Sequence, residues 1–290
     1  MDSSPRPMPR LSSRHYKYEQ ISIFLFSLGP GTILQINLVM TLPLDILLYI
    51  IDLLGDDEDV KSLQILSQTC KFMVPQCRKY IFSSLDLHSE LDSERFSDLL
   101  SKNPDIARYV TRLSYCVSIP ISDHELNILD LLKEHASLQL IGLSSRESWP
   151  LDWNRDFPES MRSSLVSLFQ LSTITHLNIS DLNGFPATAL SGCSNLIDLQ
   201  LRKLQLSTSD VNQVISRSKI PTPVSLYINR KAHGFAALLN SASLHAGDPI
   251  VDFSRLQKAR FYLGSRDDVD LVMELIKLTT RLEYLKIVGE

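Results

Sequence analysis

Two rhythms of apolar positions divide the chain. From Leu42 to Leu87 the spacing is three and four: Ile46, Leu47, Ile50, Ile51 and Leu54, then Val60, Leu63, Leu66 and Cys70, then Val74, Cys77 and Ile81. That spacing lays side chains along one face of an α-helix, so it predicts three short helices. Pro43 suits a first turn, where its missing N–H costs nothing, and Gly55 stands where the first helix is expected to stop. Asp56, Asp57, Glu58 and Asp59 precede the second segment, where carboxylates cap free N–H groups and meet the positive end of the helix dipole. Pro75 opens the third, with Arg78 and Lys79 near its end. Helices of roughly a dozen residues are marginal alone, so this group needs a partner surface.

Beyond it the rhythm becomes two. Short alternating segments carry the pairs Leu85/Leu87, Leu113/Tyr115, Leu138/Leu140, Leu177/Ile179, Leu199/Leu201, Leu226/Ile228, Ala259/Phe261 and Leu285/Ile287. Most are separated by helical spacing, as in Phe96, Leu99, Leu100; Leu126, Leu129, Leu132; Leu165, Leu168, Phe169; and Val269, Val272, Met273, Ile276. Strand then helix at intervals of roughly 20 to 30 residues predicts an α/β architecture built from stacked repeats. The intervals from Leu140 to Leu177 and from Leu226 to Phe261 are longer, so the repeats are irregular. A single α/β domain without strict repetition is the other reading. The longest interruption, Ser144 to Pro158, holds both tryptophans, Trp149 and Trp153. An exposed interface anchor and packing against the sheet edge are both open to them.

Of the 290 residues 44% are hydrophobic, and the 29 basic and 33 acidic side chains give a net charge of −4. There is no positive field for a phosphate backbone, so a nucleic-acid partner is not expected. Cys70, Cys77, Cys116 and Cys193 show no C-x-x-C spacing. Reduced thiols in the cytoplasm or nucleus follow. Residues 1–40 are expected to be a disordered or misannotated extension, because residues 1 to 20 are rich in proline and serine and Met40 stands just before Leu42 and Pro43. Within it, residues 21–39 are apolar, but Gly29-Pro30-Gly31 interrupts them, so a membrane anchor there is the weaker expectation. The chain ends directly after the core of a repeat, which leads us to expect a truncated carboxyl terminus or an open strand edge.

Residues 41–87 resemble an F-box, the module by which substrate receptors dock on the Skp-type adaptor of cullin-RING (SCF) ubiquitin ligases. The likeness rests on Leu42-Pro43, on Ile46, Leu47 and Ile50, on Leu63, on Ser67 with Cys70, and on Cys77-Arg78 through Phe82. The family often places a large aromatic three residues after the cysteine; here Met73 stands there and Phe72 is one residue early. The resemblance implies adaptor contacts at Leu42, Pro43, Ile46, Leu47, Ile50, Leu63, Cys70, Phe72 and Met73. Residues 88–290 contain ITHLNI, NLIDLQL and RLEYLKI, which resemble the L-x-x-L-x-L core of leucine-rich repeats. That resemblance implies a solenoid whose outward strand residues bind a client protein: His176, Asn178, Asp198, Gln200, Arg202, Tyr227, Arg260, Tyr284 and Lys286. For any single one of them, a merely solvated sheet face is the alternative.

Chemistry is sparse. His124-Glu125 opens like a zinc-protease helix, but Ile128 stands where the second histidine belongs. There is no G-x-S-x-G, P-loop or G-x-G-x-x-G motif, and the seven histidines show no metal spacing. Asn178-Ile179-Ser180 is a glycosylation sequon in form only, on a predicted strand. The expectation is therefore a receptor without catalytic residues, cofactor or metal, and the alternative is a leucine-rich protein-binding scaffold with no ligase role.

Overall fold

The structure, a computed structural model, describes residues 43–69, 71–207, 220–229, 235–240, 249–263 and 266–289. The amino-terminal extension, with its apolar stretch 21–39, and the expected contacts Leu42 and Cys70 lie outside the described residues. The chain divides into two compact units between Ile81 and Phe82.

The first unit consists of α1 (Leu44–Asp56), α2 (Val60–Thr69) and α3 (Val74–Ile81). Asp59 caps α2: its Oδ1 accepts the Ser62 N–H at 3.1 Å, and hydrogen bonding to Ser62 holds its carboxyl below the ordinary aspartate value. The helices meet at Leu47, Ile51, Leu63, Met73 and Cys77, all buried. Gly55 does not end α1, which continues to Asp56. Its role is one of space, because a Cβ there would lie 2.2 Å from Cδ1 of Tyr80 on α3. The same tyrosine donates from Oη to Asp52 Oδ1 at 2.6 Å, so α1 and α3 are fastened at the point of closest approach.

In the second unit the strands are β1 (Ser84–Leu87), β2 (Arg112–Val117), β3 (Leu140–Ser145), β4 (Leu151–Asp152), β5 (His176–Pro186), β6 (Asp198–Ser207), β7 (Ser225–Asn229), β8 (Lys258–Leu263) and β9 (Tyr284–Gly289). Helices α4 (Glu90–Lys102), α5 (Asp123–His135), α6 (Glu159–Phe169), α7 (Phe235–Asn240) and α8 (Arg266–Leu278) stand between them. Every pairing is parallel, and strand order in the sheet follows chain order, β1-β2-β3-β5-β6-β7-β8-β9, with β4 beside the far end of β5. The compact helical unit therefore ends at Ile81, six residues before the end of the stretch 41–87. Ser84 through Leu87 pair with Arg112 through Tyr115 and belong to the sheet.

Alternation sends one side chain in two inward. Leu85, Leu113, Ile141, Leu177, Leu199, Leu226 and Ala259 form one continuous buried row across the sheet; Leu87, Tyr115, Leu143, Ile179, Leu201, Ile228 and Phe261 form the next. At β3 the inward pair is Ile141/Leu143, not the expected Leu138/Leu140. Leu138 is buried ahead of the strand, and Leu140 pairs with Arg112 and His176 on the opposite face. On β9, Leu285 and Ile287 continue both rows yet remain 37% and 49% exposed, since no further described strand covers them.

The long interval before β5 is structured. Its β4 pairs with Leu182 and Asn183, and Trp153 is buried against Phe157 and Phe185 at ring separations of 5.1 and 5.0 Å. Trp153 thus takes the packing role, and Trp149 stays exposed.

Two substitutions test this packing by urea denaturation. Ile179→Ala, in the middle of the inner row, is expected to cost about 2–4 kcal/mol, and Leu285→Ala under about 1 kcal/mol. Gly55→Ala is expected to drive its methyl into the Tyr80 ring and cost about 1–3 kcal/mol; a midpoint at or above wild type would show that α1 and α3 separate without loss.

Candidate functional site

Helix α1 is apolar on two faces. At 100° per residue, Leu47, Ile51 and Leu54 point into the helical core, whereas Ile46, Tyr49 and Leu53 form a second stripe centred about 130° away, with Ile50 between the two. Ile46, Tyr49 and Leu53 are 43%, 63% and 45% exposed, and Ile50 is half-buried. Ile65 on α2 and Phe72, ahead of α3, add two further exposed apolar side chains. Asp45, Asp52 and Asp56 take the remaining side, and a helix apolar on a second face beyond the one it buries is normally covered there too, so this face is suited to a partner.

The expected adaptor contacts separate accordingly. Pro43, Ile46, Ile50 and Phe72 are at least partly accessible. Leu47, Leu63 and Met73, expected to face a partner, are instead core residues at 0–2% exposure, because the three helices use those side chains to bury one another. The aromatic displaced by one position follows from this: the site three residues after Cys70 is interior and takes the pliable Met73, leaving Phe72 outside. Sequence reasoning missed Tyr49, Leu53 and Ile65. A second three-and-four series, 46-49-50-53, was the available signal.

The other surface is the polar face of the sheet. Parallel register aligns Asn178, Gln200, Tyr227, Arg260 and Lys286 in one row across five strands. His176, Asp198, Ser225, Lys258 and Tyr284 form the row before it, and Arg202, Asn229, Tyr262 and Val288 the row after. All nine residues expected on a client-binding face thus share one side of the sheet. Lys258, Asn229 and Tyr262 were missed, though each lies two positions from a named residue, which is the period of the face.

Contacts order this surface. Arg202 lies 5.0 Å and Arg260 5.4 Å from the centre of the Tyr227 ring, and Arg260 is also 4.9 Å from the Tyr262 ring. The two rings meet edge-on at 5.8 Å. Arg260 Nη2 donates to Tyr262 Oη, Arg202 Nη2 to Gln200 Oε1 at 3.0 Å, and Gln200 Nε2 to Asp198 Oδ2 at 2.7 Å. Between them is an open hollow of about 420 Å³, with Leu226 and Ala259 among its lining residues.

Elsewhere Glu125 is the one carboxylate among the described residues that is buried in the core. It is the third residue of a capping box: Ser122 N–H donates to its Oε2 at 2.9 Å, and its own N–H donates to Ser122 Oγ at 3.4 Å. This accounts for Glu125 in the His124-Glu125 pair. No group of three or more His, Cys, Asp or Glu side chains is placed to hold an ion among the described residues. Cys77, Cys116 and Cys193 are free thiols, and burial pushes Cys193 up to about 12. No helix among the described residues is long and apolar enough to cross a membrane.

Burial raises the Glu125 carboxyl above the ordinary glutamate value of 4.5, against the pull of its Ser122 hydrogen bonds. The folded state therefore holds this proton more tightly than the unfolded chain, and the stability it lends is complete below about pH 4.5 and declines as pH rises through the folded value. Glu125→Gln keeps an acceptor for Ser122 and removes the titration. The wild-type urea midpoint, measured relative to the variant's, is expected to fall between pH 4 and pH 7; a constant difference would show an unperturbed carboxyl.

Comparison of the chain with protein-family models, with curated proteins and with solved structures finds no match in any of the three.

Proposed function

We propose that this chain is a non-catalytic substrate receptor of an SCF-type, cullin-RING ubiquitin ligase. In this reading the three-helix unit docks on the Skp-type adaptor. The second unit, read as an irregular leucine-rich-repeat solenoid, holds a client protein in the cytoplasm or nucleus. The observation that carries the proposal is the outward apolar stripe of α1, which falls within the sequence that resembles an F-box. Fully burying a side chain such as Ile46 or Leu53 stabilises by about 1.5–3 kcal/mol, so a few anchors of this kind sustain a complex. The parallel order of the eight principal strands, which follows the chain with only the two-residue β4 set aside, supports the repeat reading, because each strand–helix unit then packs on the one before it. Phosphoryl, acyl and hydride chemistry have no motif in the sequence, so catalysis is assigned to the other subunits.

Ile46→Asp with Leu53→Asp is the direct test. Both side chains are already substantially exposed, so the variant is expected to melt as wild type does and to lose adaptor affinity by at least tenfold, measured by co-purification and titration with a Skp-type adaptor. Undiminished adaptor binding by the folded variant rejects the docking face. A chain that binds a partner through its sheet but never the adaptor is the leucine-rich scaffold without a ligase role.

A further inference from the structure

From the polar face of the sheet we infer that the client is read through an acidic, extended peptide segment, whose carboxylate or phosphate group enters the hollow between Arg202 and Arg260. This rests on the client-binding reading above and adds the chemistry of what is bound.

Charge is the first reason. In the three aligned outward rows of β5 to β9 stand four cations, Arg202, Lys258, Arg260 and Lys286, against the single carboxylate of Asp198, while Lys203 and Asp181, one position beyond Arg202 and Ser180, pair with each other at 3.1 Å. Asp198 is engaged by Gln200, and none of the four cations has a carboxylate within ion-pair distance among the described residues. Such a concentration of unmatched positive charge, in a chain whose net charge is −4, is complementary to an anion.

Preorganisation is the second. The guanidinium groups of Arg202 and Arg260 lie over the Tyr227 ring at 5.0 and 5.4 Å, and each is further held by a hydrogen bond, Arg202 to Gln200 and Arg260 to Tyr262. A guanidinium held in this way loses little freedom when its N–H fork closes on a carboxylate or phosphate.

Unmet hydrogen bonding is the third. Arg260 Nε, Asn178 Oδ1 and Asn229 Oδ1 are buried on this face with no partner among the described residues. Buried polar atoms in that state carry a desolvation cost which a ligand can relieve. Arg260 Nε is a donor suited to an anionic oxygen, and the two amides suit the alternating N–H and C=O of an extended backbone. Five strands at about 4.8 Å spacing span about 19 Å, the length of roughly six extended residues.

A single-stranded nucleic acid is the competing polyanion, since aromatic and basic side chains are interleaved here. It is disfavoured because guanidiniums already pack against the rings of Tyr227 and Tyr262, where bases would stack.

The test is fluorescence anisotropy with the full chain and four labelled probes of equal length. These are a Glu-Gly-Ser octapeptide, the same peptide with Gln for Glu, the same with phosphoserine for Glu, and an oligouridylate. The acidic peptides are expected to bind at least tenfold more tightly than the Gln peptide, and to weaken as salt rises. Arg260→Gln is expected to weaken them about tenfold or more, Lys286→Gln, at an exposed rim position, by less, and Lys133→Gln, on an exposed helix position elsewhere, not at all. Thermal melting separates loss of binding from loss of fold for Arg260→Gln, and Lys286→Gln provides a second reading that does not perturb packing. Tighter binding by the Glu or by the phosphoserine peptide identifies which anion is read. Equal binding of Glu and Gln peptides, no binding of either acidic peptide, indifference to both face substitutions, or stronger binding of oligouridylate each overturns the inference. The Ile46→Asp, Leu53→Asp chain is the cross-control: adaptor loss with acidic-peptide binding intact concerns the docking unit alone, and failed peptide binding with adaptor binding intact rejects the anion site while leaving the ligase reading in place.

Discussion

The second unit depends on one constraint, the in-register pairing of successive parallel strands. Because a strand alternates its side chains with period two, fixing which residues meet inside also fixes which meet outside. The inner rows from Leu85 to Ala259 and from Leu87 to Phe261 supply the free energy, since each buried side chain contributes on the order of 2 kcal/mol. A one-residue slip of β7 would carry Leu226 and Ile228 to the polar face and Tyr227 into the core. The cation–π contact of Tyr227 with Arg202 and Arg260 is therefore a by-product of a register that the leucines enforce.

All-parallel sheets are usually covered on both faces, and their strands then read as continuous apolar runs. Here the strands alternate, as antiparallel ones commonly do. Arg, Lys, Asn and Gln on the second face would carry a heavy desolvation cost beneath another layer of helices. The sheet remains open on that side, and the open side concentrates cations, tyrosines and unsatisfied amides in a few square nanometres. In the helical unit the constraint is different. Three helices this short cannot bury every apolar side chain among themselves, and α1, apolar on two faces, keeps Ile46, Tyr49 and Leu53 outside.

Much of this was legible before any coordinates. Spacing of three and four placed the helices of the first unit, and alternation located the eight principal strands. Its one error of phase was at β3, where Leu138, Leu140, Ile141 and Leu143 offer two overlapping alternations and only the partner strands choose between them. The acidic run before α2 read correctly as a cap, since Asp59 bonds locally to Ser62. Gly55 was misread as a stop, because the reason for it is the ring of Tyr80, which arrives from another helix.

Sequence alone determined the element types, the two-unit order and the membership of the polar face, because those follow from local periodicity. Tertiary structure decided which apolar residues of an amphipathic pattern are spent inside: Leu47, Leu63 and Met73 look no different in sequence from Ile46, Ile65 and Phe72, yet the first three are core and the others exposed. It also decided that Trp153 packs under β5 while Trp149 does not, and that Glu125 caps a helix. Burial depends on which surfaces arrive from distant parts of the chain, and no local spacing encodes that.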